Sequence, residues 1–129
     1  MYAHTIDLPL PFEQAIEKLK AALTAAKMGV VSEVDVQAIL KAKIDHDIPP
    51  YRLIGVCAPG VAKVVVESDP DAGSLLPCGC CVYETSPGNT RIALQDPGVF
   101  AKITSNAAIT EAMTTAQGHL ANVIANLKA

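Results

Sequence analysis

The sequence predicts an α+β domain, a mixed β-sheet with helices packed on it, in the order β-α-β-α-β-α-β-β-α. Three observations carry this prediction. Stretches rich in β-branched residues take turns with stretches whose apolar residues recur every three or four positions. Proline and glycine punctuate the joins. Two strand-like runs in the second half are separated only by Ser86-Pro87-Gly88-Asn89, the length of a hairpin connection.

Tyr2 to Asp7 alternates and predicts a first strand, which Leu8-Pro9-Leu10-Pro11 ends. Pro11 suits the first turn of a helix, where a missing N–H costs nothing. Phe12, Ile16, Leu19, Leu23 and Ala26 form one apolar stripe, with Glu13, Glu17, Lys18 and Lys20 outside it. Gly29 is the expected stop. Val30 to Val36 predicts a second strand, and Asp35 is placed to cap a short helix over Gln37–Lys43. The adjacent Pro49-Pro50 end that helix in a loop. Tyr51–Cys57 reads as a buried strand, and Ala58-Pro59-Gly60 as the turn into a helix over Val61–Glu67. Asp69–Gly73 is a turn by composition. Cys78–Thr85 and Thr90–Gln95 are the hairpin strands, closed by Asp96-Pro97-Gly98. A last long helix carries Ile109, Met113, Ala116, Leu120, Val123, Ile124 and Leu127 on one stripe.

At 129 residues the chain fits one domain, 1–129, with no internal repeat or linker. Half the residues are hydrophobic and 18% are charged, which excludes disorder. With no Trp, three Tyr and two Phe, the core must be built from Ala, Val, Ile and Leu. The net charge is −3 and the basic residues are scattered, so a nucleic-acid partner is not expected. No targeting signal and no membrane-length apolar run is present, so the expected setting is cytoplasmic, with reduced thiols. A mean hydropathy of +0.31 suits a chain that hides apolar surface in a subunit interface.

Cys57, Cys78, Cys80 and Cys81 lie within 25 residues of one another. The plainer reading makes them small buried hydrophobes. The sharper one starts from Cys57, which ends a strand just before a helix, where the macrodipole and free N–H groups favour a thiolate. Cys57 and Cys78 are therefore the candidate catalytic thiols. Cys57, Cys78 and Cys80 are the candidate ligands of a soft cation, Cu(I) or Zn(II), in a trigonal thiolate site. The same sulfurs suit a persulfide or a reversible disulfide. Cys78-Gly79-Cys80-Cys81 contains a C-x-x-C spacing, but on a strand Cys78 and Cys80 share one face and Cys81 takes the other. No paired zinc-module spacing accompanies it.

The remaining candidates are weaker. His46 lies between two aspartates in a loop and His119 on the last helix, without a His-x-x-His or His-Glu-x-x-His pattern. Pro59-Gly60 at a helix start is a place for an anion. Glu84 and Asp96 are placed to bracket a hairpin site. No phosphate-cradling glycine loop and no nucleophile elbow occurs.

Pro50-Tyr51-Arg52-Leu53-Ile54-Gly55-Val56-Cys57-Ala58-Pro59 resembles the signature segment of domain-of-unknown-function family 302. Asp69-Pro70, then Leu75-Leu76-Pro77-Cys78 and Val82-Tyr83-Glu84, and later Asp96-Pro97, are similar to its following segments. Pro11-Phe12-Glu13-Gln14-Ala15 resembles its opening helix. The resemblance implies a small α+β fold with a mixed sheet, a homodimer and a helix after Cys57. It implies no activity. Cys57 and Cys78 match the family's recurrent cysteines, whereas Cys80 and Cys81 stand where valine-like residues are usual.

Two functions follow as expectations. The first is a cytoplasmic thiol protein that handles persulfide sulfur, redox equivalents or a soft metal through Cys57 and Cys78, with a sulfur-carrier or redox protein as partner. The second is a non-catalytic homodimeric domain for a small ligand or an interaction, its cysteines structural.

Overall fold

The computed structural model describes residues 1–129. Five strands, β1 (Ala3–Leu8), β2 (Gly29–Asp35), β3 (Tyr51–Cys57), β4 (Cys78–Ser86) and β5 (Asn89–Gln95), form one sheet in the order β1-β5-β4-β3-β2. Helices α1 (Phe12–Ala25), α2 (Val36–Ile44), α3 (Pro59–Ser68), α4 (Phe100–Ile103) and α5 (Ala107–Lys128) complete the fold, with 3-10 turns at Pro70–Leu75 and Pro97–Val99. The order of the main elements is the expected one. The sheet, however, is antiparallel in all four ladders rather than mixed. Each of the later strands turns back on its predecessor, and β1 docks antiparallel on β5 at the far edge, so no parallel neighbour arises.

Alternation along the strands decides the layers. Ile6, Leu8, Ile54, Val56, Cys80, Val82, Ile92 and Leu94 all face the same side and are buried there under the α1 stripe and the C-terminal half of α5. The N-terminal half of α5 leaves the sheet and packs on α3, the first 3-10 turn and Phe100, around Val61, Val65, Ile109 and Met113. Met28 touches both clusters. Thr90 is the one buried polar side chain among them, and its hydroxyl donates to the Leu10 carbonyl at 2.9 Å.

Local chemistry explains most boundaries. The Asp35 carboxylate accepts from Ala38 N at 2.9 Å and starts α2 as expected. Gly88 takes a positive φ of 82° in the hairpin. The stop of α1 is not Gly29: Lys27 adopts the left-handed conformation, φ 61°, and Gly29 already belongs to β2. Val61–Glu67, whose β-branched content also suits a strand, is helical as expected, with Pro59 in the first turn of α3. No helix is long and apolar enough to cross a membrane.

Candidate functional site

Helices cover only one side of the sheet, and the other side is built from three cross-strand rows. Asp7, Arg91, Tyr83 and Tyr51 form the first. Arg91 forks onto the Asp7 carboxylate at 2.7 and 3.2 Å, which holds that carboxyl below its usual range. The rings of Tyr83 and Tyr51 stack, with centroids 5.4 Å apart and planes 12° from parallel. Thr5, Ala93, Cys81, Leu53 and Val34 form the second row. The third runs through Ala3 and Gln95, then Gly79, Gly55 and Ser32, with Gly79 N donating to Gln95 Oε1 at 3.4 Å.

Residue size along these rows makes a hollow. Ala93, Cys81, Gly79 and Gly55 are short or lack a side chain, while Tyr51, Leu53, Val34, Tyr2, Pro77 and Val99 rise around them. The open cavity is about 700 Å3, and ten of its fifteen lining residues are hydrophobic. None of the fifteen is Asp, Glu, Lys, Arg or His. The neighbouring Cys81 thiol, aided by burial, pushes the Tyr51 phenol up to about 12.

The thiols divide as alternation requires. Cys80 is 4% exposed and sits in the core, where desolvation pushes its thiol up to about 12. Cys81 lies on the opposite face and lines the hollow. Cys57 and Cys78 come together: Cys78 pairs with Val56, the residue before Cys57, and both sulfur-bearing residues are half-buried. They line a smaller apolar recess of about 290 Å3, closed by Val31, Val61 and Pro77 at the entry to α3. Burial, and then the neighbouring Cys57, raise the Cys78 thiol above its usual value. All four cysteines are free.

The trigonal Cys57, Cys78 and Cys80 arrangement is not assembled. No three His, Cys, Asp or Glu side chains gather to hold a metal, and Cys80 is enclosed in the core by its neighbours Ile54 and Leu94. Glu84 and Asp96 do not meet either, for Glu84 pairs with Thr90 at the hairpin end of β5 and Asp96 follows its other end. Asp96 instead caps the second 3-10 turn. Its Oδ1 accepts from Gly98 N at 2.9 Å and Gln117 Nε2 at 3.4 Å, and His4 Nε2 lies 3.6 Å from Oδ2. These contacts, the Gly98 bond first, hold the Asp96 carboxyl below its usual range. His46 is exposed between Asp45 and Asp47, both held by Lys41 at 2.8 and 3.1 Å. His119 and Lys27 border a shallow groove beside Pro59 and Gly60.

Tyr51, Leu53, Gly79 and Ala93 are the site residues that sequence reasoning missed. The available signal was the period-two run of small residues, Gly79 and Cys81, on a strand whose alternate positions are core.

The profile of the family described as "Domain of unknown function DUF302" matches residues 4–127. Among solved structures, the chain is similar to the crystal structure of an uncharacterized conserved DUF302 protein from Bacillus stearothermophilus. That likeness has a TM-score of 0.85 and 26% sequence identity, and it covers 98% of each chain. No curated protein matches.

Proposed function

The chain belongs to the DUF302 family, and for this member we propose a non-catalytic binding domain that holds a small apolar molecule in the hollow of its open sheet face. The observation that carries this reading is the hollow itself. Its volume of about 700 Å3 falls within the span of small-molecule sites, and its lining is mostly apolar with a few polar groups. It presents phenols, a thiol, a hydroxyl and a carboxamide, but no paired acid and base for turnover.

Nile red, a neutral dye that brightens in apolar surroundings, tests the reading by fluorescence titration. Gly79→Leu is the matched control, because a Cβ at Gly79 meets nothing within 4 Å and leaves a longer side chain free to enter the hollow. Saturable binding that Gly79→Leu abolishes supports a ligand site. Binding unaffected by that substitution overturns it. A second copy of the chain is the rival occupant, and light scattering at twice 13.5 kDa, reverting to one mass in Gly79→Leu, would identify it.

A second reading is favoured by the Cys57–Cys78 neighbourhood at the strand-to-helix junction. In a reducing cytoplasm these thiols would accept sulfur or redox equivalents from a carrier protein, with Cys57 reacting first because the Cys78 thiol is raised. Treatment with oxidised glutathione tests it: both thiols lose a proton, the pair gives two electrons to the reagent, and one S–S bond forms as two glutathione thiols leave. Peptide mapping that finds no Cys57–Cys78 link would remove this reading.

A further inference from the structure

Resting on the ligand-binding reading, we infer that the hollow selects an uncharged planar molecule bearing a hydrogen-bond acceptor, laid flat over Gly79, Cys81 and Ala93 with its acceptor toward the Gln95 carboxamide.

Charge is the first selector. No lining residue has a charged side chain, and Arg91, a cation on the same face, is already engaged by Asp7. An ionised ligand would give up its hydration and gain no counter-charge, a cost that rises as the group is covered. Shape is the second. Gly79, Cys81 and Ala93 sit on two adjacent strands and project at most two heavy atoms, so the floor follows the sheet plane. Tyr51 and Leu53 stand on the neighbouring strand beside it, and Tyr51 is fixed there by its stack on Tyr83. A flat molecule contacts such a floor over its whole face, whereas a globular one touches it at a point.

Hydrogen bonding is the third. Gln95 Oε1 is occupied by Gly79 N, which turns the amide so that its NH2 donors remain for a ligand. The Gln95 NH2 beside that floor thus offers a donor that matches a ring carbonyl.

Competition against Nile red separates these claims. The competitors are xanthone, its 2-carboxylate, anthracene and 2-adamantanone. Xanthone is expected to displace the dye at about tenfold lower concentration than the carboxylate or 2-adamantanone. Gln95→Leu should weaken xanthone about fivefold, the loss of one hydrogen bond, and leave anthracene unchanged. Equal displacement by the carboxylate or by 2-adamantanone overturns the selectivity while leaving the site intact. An equal effect of Gln95→Leu on xanthone and anthracene overturns the role of Gln95. Dye binding indifferent to Gly79→Leu removes the underlying site and this inference with it.

Discussion

Gly55 and Gly79 face each other across the β3–β4 ladder, yet the space above them is opposite in kind. A Cβ on Gly55 would lie 2.2 Å from Ser32 Oγ and 2.6 Å from Pro77 Cγ, whereas one on Gly79 would meet nothing within 4 Å. Pro77 thus closes one end of the hollow by settling onto a strand position that has no side chain. The neighbouring glycine leaves the floor bare. Gly55→Ala is expected to destabilise the protein by about 1–3 kcal/mol, through overpacking against Pro77 and Ser32. Gly79→Ala is expected to be neutral or to stabilise by about 0.5 kcal/mol. Urea unfolding of the two variants checks this contrast.

The Tyr51 phenol, pushed up to about 12 by the neighbouring Cys81 and by burial, should ionise later than an unfolded-chain tyrosine. A phenol whose folded value is raised stays protonated while the unfolded chain ionises near 10. Its contribution to stability is complete below that point and is lost as pH climbs toward 12. Absorbance titration at the phenolate band should show one late transition, absent in Tyr51→Phe. A late transition surviving in Tyr51→Phe would reject the assignment.

Thiol reactivity should follow the layers. At pH 8, iodoacetamide should leave Cys80 unmodified, since its thiol sits in the core and is pushed up to about 12. Cys78 should react more slowly than an unfolded-chain thiol, because burial raises it. Cys81 should be labelled in the free protein and protected by saturating Nile red. Peptide mapping by mass spectrometry reads all of these at once, and rapid labelling of Cys80 would contradict the strand register.

Asp96 sets an acid limit. Its folded carboxyl lies below the usual range, so the stability it contributes is complete above about pH 4 and is lost as pH falls through the lowered value. Asp96→Ala should cost about 1 kcal/mol at pH 7 by removing the acceptor for Gly98 N. Asp96→Asn should keep that acceptor and flatten the decline below pH 4. Melting temperatures from pH 2 to 7 measure both.

Periodicity and caps were enough to read the elements, including the Asp35 cap and the opposite faces of Cys80 and Cys81. The ladder directions were not legible, because which strand becomes a neighbour depends on contacts between segments far apart in the chain. The Cys57–Cys78 neighbourhood was anticipated from a strand-to-helix junction. Adding Cys80 to it failed although parity puts Cys78 and Cys80 on one face, because Cys80 is enclosed in the core between Ile54 and Leu94 and has no access to a shared cation. The hollow escaped notice because it is made by what Gly79, Cys81 and Ala93 lack, and by cross-strand register, which no single segment records. Lys27 rather than Gly29 took the left-handed turn after α1, since the strand register needed Gly29 opposite Cys57.

Amide shift mapping of the labelled protein titrated with Nile red tests the central claim most directly. Saturable shifts are expected only at Tyr51–Gly55, Gly79–Cys81, Ala93 and Gln95, with α1 and α5 silent and the whole pattern lost in Gly79→Leu. Shifts centred on Cys57, Val61 and Cys78 instead, or scattered over every exposed apolar residue, would contradict it.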